Sequence, residues 1–149
     1  MDIFGDKIFS KMMKNHIKEL IEYLLKKEQF FSILTKIDEI KFDPKLPSHI
    51  SSNFRAITPF YIAEYTFESA SIDDDFLYFE AGFGAENIGS YITVPLLCIV
   101  QIIVDDKPIL INMAVEHKKE KESDDGVKRS TNIFLSNPKN RKIIEKRDS

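Results

Sequence analysis

Residues 77–113 read LYFEAGFGAENIGSYITVPLLCIVQIIVDDKPILINM. Leu77, Phe79 and Ala81 alternate with Tyr78, Glu80 and Gly82, the two-residue period of a strand with one buried face. A glycine-bearing turn follows from Gly82 to Gly89. It leads into a second strand over residues 90–94, which Pro95 ends because proline has no N–H for a ladder. Residues 96–104 are apolar except for Gln101, too long an apolar run for an edge strand. Asp105-Asp106-Lys107-Pro108 turns the chain, and residues 109–115 return. These segments predict a small curved antiparallel sheet, a partial barrel, with the rest of the chain attached to it.

Upstream, residues 8–27 carry Phe9, Met13, Ile17, Leu20, Ile21 and Leu24 at three- and four-residue spacings, with lysines and Glu22 between them. This is the pattern of an amphipathic helix, starting at Ser10 or nearer Asp6. Met12, Tyr23 and Leu25 widen its apolar surface, which fits either a broad packing face or a dimer contact. Residues 30–42 mix strand and helix spacing. Their Phe, Ile and Thr content favours strand, with a bulge or turn near Asp38-Glu39. Three prolines with serines and Asn53 make residues 43–59 a long loop. Residues 60–69 resume alternation, with Tyr61, Ala63, Tyr65 and Phe67 on one face, and Asp73-Asp74-Asp75 turns the chain into the central stretch.

The chain has 149 residues and is 43% hydrophobic, enough for one domain with a real core and an appendage. No apolar run reaches the roughly 18 residues of a membrane span, and no secretory signal is expected. Cys98 is the one cysteine, which excludes an intramolecular disulfide and fits a reducing cytoplasm. The formal charge of −3 is uneven. Residues 1–115 hold 11 Lys and Arg against 17 Asp and Glu, net −6, whereas residues 116–149 hold 10 against 7, net +3. An acidic body argues against broad phosphate-backbone binding. Residues 116–129, EHKKEKESDDGVKR, read as a solvated linker, and Ile133-Phe134-Leu135 and Ile143-Ile144 as short apolar islands beyond it.

Few residues suggest chemistry. Gly82, Gly84 and Gly89 have the wrong spacing for a dinucleotide loop, and a strand follows them instead of a helix. His16, His49 and His117 lie far apart and bear no ligand-like spacing to one another or to Cys98, so neither metal nor cofactor is expected. Cys98 reads as a small buried hydrophobe. The aromatic residues between Phe60 and Phe83 are dense enough for a base-stacking barrel. Interleaved cations are missing, however, and Glu64, Glu68 and Glu80 stand among them. An RNA- or oligonucleotide-binding barrel of Sm or OB type is therefore the alternative function, and no catalytic residue is assigned.

The run Leu77-x-Phe79-x-Ala81-x-Phe83-Gly84, followed by Val94-Pro95-Leu96-Leu97-Cys98-Ile99-Val100, resembles the stringent starvation protein B (SspB) family, adaptors of the ClpXP protease. The order of segments is similar too: an apolar N-terminal helix, a proline-containing segment at Leu46-Pro47, the sheet, a charged linker and a basic-apolar end. The motifs cover about a quarter of the chain. Ala85 departs from the pattern where a second glycine is usual, and the turn is longer.

The resemblance implies an α+β, mainly β fold: an N-terminal helix on a small open Sm/SH3-like antiparallel barrel (1–115), then a flexible linker and docking tail (116–149). It implies an adaptor that holds an ssrA-like degradation tag in a groove and tethers the tagged protein to the N-terminal domain of ClpX. The tail motif would be Arg141, Lys142, Ile143, Ile144 and Lys146. A homodimer would form through Ile17, Leu20, Ile21 and Leu24. The glycines remove side chains from the turn and let another backbone approach. With Phe83, Ile88 and Tyr91 as pocket walls, the expected peptide-binding set is Phe83, Gly84, Ala85, Ile88, Tyr91 and Thr93.

Overall fold

The computed structural model of the chain describes residues 2–114. The linker and docking motif expected over residues 116–149 lie outside the described residues. The first long element is α1, Lys7–Lys26. Asp6 rather than Ser10 caps it, its carboxylate accepting from the Phe9 N–H at 3.2 Å. At the other end Glu28 takes a left-handed φ of 58°. The Gln29 N–H then donates to the Leu24 carbonyl and the Glu28 N–H to the Leu25 carbonyl, satisfying two carbonyls that the helix leaves open.

Eight strands follow: β1 Phe31–Lys36, β2 Lys41–Asp43, β3 Ile57–Ile62, β4 Ser71–Ile72, β5 Phe76–Phe83, β6 Ile88–Pro95, β7 Ile99–Val104 and β8 Lys107–Ile111. Two short helices interrupt them, α2 at Ser48–Ser51 and α3 at Glu64–Ser69. The strands form two antiparallel four-stranded sheets, ordered β3-β1-β7-β8 and β2-β6-β5-β4. The fold is thus α+β and mainly β, and no closed barrel is found among the described residues. The single sheet expected over residues 77–113 divides in two. β5 and β6 belong to one sheet and β7 and β8 to the other, because Leu96–Cys98 forms a 3₁₀ turn that carries the chain across. Pro95 sets up that turn, since its missing N–H ends the ladder.

The inner faces of both sheets meet in one core. Ile33, Phe60, Ile62, Ile99, Ile102 and Leu110 come from the first sheet, and Leu77, Phe79, Ile92 and Val94 from the second. The Phe60 and Phe79 rings meet between the sheets at 5.6 Å, edge to face. Each fully buried aliphatic or aromatic side chain contributes about 1.5–3 kcal/mol. Thr35 is buried among them, and its hydroxyl donates to the Thr58 carbonyl at 2.8 Å, so its polar atom is satisfied.

α1 completes this core. Ile17, Ile21 and Leu24 are buried within the single chain and Leu20 is half-buried against the same cluster. The four residues expected to meet a second copy therefore face the chain's own core, and the dimer assignment to them is corrected. The helix's exposed apolar residues are Ile8, Met12 and Tyr23 (69%, 63% and 55%), on its opposite side. Lys14 and Lys18 fasten the helix to the β4–β5 turn through Asp75 at 2.7 Å and Asp74 at 3.2 Å. The hydrogen bond to Asp74, then that to Glu22, raises the Lys18 ammonium above its ordinary 10.5. The charged form is thus the bound form. Its small, solvent-screened stabilisation persists at neutral pH and is lost only as pH rises through that raised value.

Two further expectations change. Residues 60–69 are not a continuous strand: β3 ends at Ile62, Glu64 adopts a left-handed φ of 54°, and α3 follows. The inward set is Thr58, Phe60 and Ile62, the parity opposite to Tyr61. Phe67 turns back from α3 onto Phe30 (5.1 Å) and Phe31 (6.5 Å). The loop over residues 43–59 holds α2 and the first residues of β3, including Pro59 opposite Leu34. Proline is tolerated there because β3 is an edge strand. The bend expected near Asp38-Glu39 is a 3₁₀ turn over Ile37–Glu39 between β1 and β2.

Candidate functional site

The β5–β6 hairpin is in register from Phe76 opposite Pro95 to Phe83 opposite Ile88. Its loop is consequently only Gly84-Ala85-Glu86-Asn87, shorter than the glycine-to-glycine turn read from the sequence. Gly84 has φ +75° and Asn87 φ 55°, and the Asn87 N–H donates to the Gly84 carbonyl at 3.0 Å. These left-handed conformations are open to glycine and tolerated by asparagine. Gly82 and Gly89 are paired across the strands on the outward face. The Asn87 side chain folds over Gly82, leaving 1.9 Å between its Oδ1 and the place a Cβ would take. A Cβ on Gly89 would meet nothing within 4 Å.

The expected binding residues divide between two faces. Phe83 points inward, and its ring stands 5.9, 6.0 and 6.4 Å from Phe42, Phe54 and Phe60. Ile88 is its half-buried cross-strand partner. Gly84 and Ala85 are exposed in the loop, and a Cβ on Gly84 would stand 3.0 Å from Ile50 Cδ1 of α2. Ile50 is buried here, and Phe54 stacks on Phe42 at 5.5 Å, so the loop around α2 plugs this end of the sandwich. Tyr91 and Thr93 lie on the outer face of the second sheet instead. Tyr91 is paired in register with Glu80 and Asp43, and Thr93 with Tyr78 and Lys41. The six residues do not converge on one pocket; Phe83 and Ile88 belong to the plugged end.

The outer face is built by the period-two alternation that buries Phe79 and Ile92 below it. Tyr91 stacks on Tyr78 at 6.1 Å with 17° between rings. The Tyr78 hydroxyl donates to Asp73 at 2.7 Å, and Asp73 also accepts from the Asp75 and Phe76 N–H groups, so the acidic turn organises the start of β5. The Ser69 hydroxyl accepts from the Glu80 N–H at 2.9 Å, where α3 replaces β4 along the edge of β5. The Tyr65 hydroxyl donates to Glu80. On the far side β2 pairs only with Tyr91, Ile92 and Thr93, so among the described residues no strand pairs with β6 from Ile88 to Ser90. Ser90 donates from its hydroxyl to the Pro44 carbonyl at 3.0 Å as the chain turns away. His49 and Glu86 stand 3.7 Å apart above the hairpin loop.

The sequence reading missed Tyr78, Glu80, Tyr65, Ile50 and Phe54. Tyr78 and Glu80 share the parity of Gly82 and were legible on that ground. Phe54 and Ile50 are single apolar residues in a polar loop, and that isolation is their one signal. The hydrogen bond to Glu80, then its charge, raises the Tyr65 phenol above its ordinary 10.0. Stabilisation from this contact is present below that ordinary value and is lost as pH rises through the raised one. Glu80→Gln is expected to lower the pH at which Tyr65 ionises, read as one of the five tyrosines moving in an ultraviolet titration. An unmoved titration would show that the carboxylate does not hold this phenol.

The arrangement offers a stretch of β6 with no described strand paired to it, open space over Gly89 and an aromatic pair with acidic neighbours. These features suit an extended chain segment. Among the described residues no group of three or more His, Cys, Asp or Glu side chains is placed to hold a metal ion. No described helix is long and apolar enough to cross a membrane. Neither a family model nor a curated protein sequence matches this chain.

Proposed function

We propose that this chain is a protease adaptor that binds ssrA-like degradation tags and delivers tagged proteins to ClpXP in the cytoplasm. The observation that carries the reading is the open space over Gly89, on a stretch of β6, residues 88–90, along which no described strand is paired. An extended peptide laid there continues the line of β2 and gains main-chain hydrogen bonds, while Tyr91 and Ala85 flank its side chains. The motif resemblance to the stringent starvation protein B family supports the same assignment. In this reading the two sheets and α1 are the open Sm/SH3-like body of that family. Residues 141–146 form the segment that engages the N-terminal domain of ClpX. A second copy, where present, supplies a second tail through a helix face that includes Met12 and Tyr23.

Delivery needs no chemistry from the adaptor. Tethering a weakly held substrate to the unfoldase raises its local concentration to about the millimolar range. Titration with the host's own tag peptide is expected to saturate, and a flat titration would remove the reading. Deleting residues 137–149, or changing Ile143 and Ile144 to Asp, is expected to abolish stimulated degradation and leave peptide affinity unchanged. Full delivery by the shortened chain would separate the tail from the function.

A further inference from the structure

The outer face of an antiparallel sheet that packs on its other side is ordinarily polar. The strands of the second sheet include Asp43 and Glu80, but the four strands of the first contain no Asp or Glu at all. Their outward positions are mostly apolar. In one register row Tyr61 stands beside Ser32 and Ile103, in the next Pro59 beside Leu34, Gln101 and Ile111, and then Ile57 beside Lys36. Tyr61 is 71% exposed, Ile111 50% and Ile57 42%, so among the described residues nothing covers the face at these positions. Both edge strands of this sheet hold a proline, Pro59 in β3 and Pro108 in β8, which opposes growth by an added strand. A partner is therefore met by the face and not by an edge.

We propose that this face of the first sheet is a docking surface for an acidic amphipathic helix of a partner protein. Size points to a single helix. Strands about 4.8 Å apart and about six residues long make a four-stranded face of roughly 19 by 20 Å, or roughly 400 Å². A stable dimer takes about 800 Å² from each copy, twice what the face offers. One helix of about 13 residues spans the same 20 Å and lays its apolar stripe along Tyr61, Leu34 and Ile111, the way sheet faces are ordinarily covered. Charge points to an acidic helix. The strands' own charged residues are Lys36 and Lys107, and Arg55 is exposed just before β3. Carboxylates begin only beyond the strand ends, at Asp38, Glu64 and the Asp105-Asp106 turn. Ser32, Gln101 and the Tyr61 phenol add groups that can donate to a carboxylate. A helix laid across the strands thus meets cations and donors under its length.

This surface is separate from the β6 stretch proposed for the tag, and its test uses no tag. The probe is a fluorescent peptide of about 14 residues, acetylated and amidated, with leucine at three- and four-residue spacing and glutamate and alanine elsewhere. Its control has lysine in place of every glutamate. With the full chain the acidic peptide is expected to give saturable anisotropy, at least about tenfold tighter than the control and weaker as salt rises. Tyr61→Asp with Ile111→Asp is expected to lower that affinity by at least about tenfold and to leave the unfolding midpoint in place, since both side chains are exposed. Where that variant fails to fold, Arg55→Glu with Lys107→Glu decides, and is expected to narrow or reverse the preference for the acidic peptide. Equal affinity for the two peptides, a flat titration, or a preference unchanged by the Arg55 and Lys107 substitutions overturns the proposal. Binding untouched in a folded Tyr61→Asp and Ile111→Asp chain overturns it too. Self-association that these changes abolish gives the face to a second copy instead, and tighter binding of an oligo(dT) strand there gives it to nucleic acid; either result also overturns the proposal.

Discussion

Ile17→Ala and Ile21→Ala are each expected to lower the stability of the single folded chain by about 2–5 kcal/mol, measured by denaturant unfolding. Both side chains are wholly inaccessible and lie in the core with Leu24, so truncation removes apolar contact and leaves a cavity at the junction of helix and sheets. Ile8→Asp and Met12→Asp, on the exposed side, are expected to change that stability by no more than about 0.5 kcal/mol. The contrast separates two roles that the heptad-like spacing confounds. Self-association through α1 would respond to the second pair and not to the first. An unchanged unfolding midpoint for Ile17→Ala would mean that the helix is not part of the core.

The second large effect concerns two glycines five positions apart. Gly84→Val is expected to destabilise the fold by about 2–3 kcal/mol, since valine is strained at φ +75° and its Cβ would press on Ile50 at 3.0 Å. Any loss of peptide binding in that variant would report folding as much as access. Gly89→Val has neither problem. Its Cβ enters open space from an ordinary strand conformation, and valine favours strands, so stability is expected to hold or rise by up to about 1 kcal/mol. The new side chain nevertheless covers the main-chain patch. In the adaptor reading, tag affinity falls by at least about tenfold, some 1.4 kcal/mol. A Gly89→Val protein that binds tag as well as the parent would place the peptide elsewhere.

These elements also indicate where the sequence was legible. The alternation of β5 could be read directly, because Leu77 and Phe79 need burial and Tyr78, Glu80 and Gly82 do not. Pro95 correctly ended β6. The helix stripe was correct in its residues but not in their partner: periodicity identifies a face that must be covered and is silent about what covers it. The division into two sheets was hidden because Leu96–Cys98 is as apolar as a strand, and a turn buried between two sheets must be. Glu64 carried no warning of α3, since a left-handed residue is usually glycine or asparagine. The candidate site was half legible. Of the three glycines only Gly89 has open space over it, and the Asn87 side chain over Gly82 and the plug of Ile50 and Phe54 depend on contacts that no local pattern encodes.

The seating of α1 against the Leu96–Cys98 turn has a consequence for how the protein is made. The ribosome completes the helix early, yet the Leu96–Cys98 turn on which it is seated emerges only after about five-sixths of the described body has been synthesised. Until then Ile17, Ile21 and Leu24 face solvent on a growing chain that cannot yet close around them. While those later residues are being made, the nascent chain therefore displays a helix whose apolar face has no core to enter.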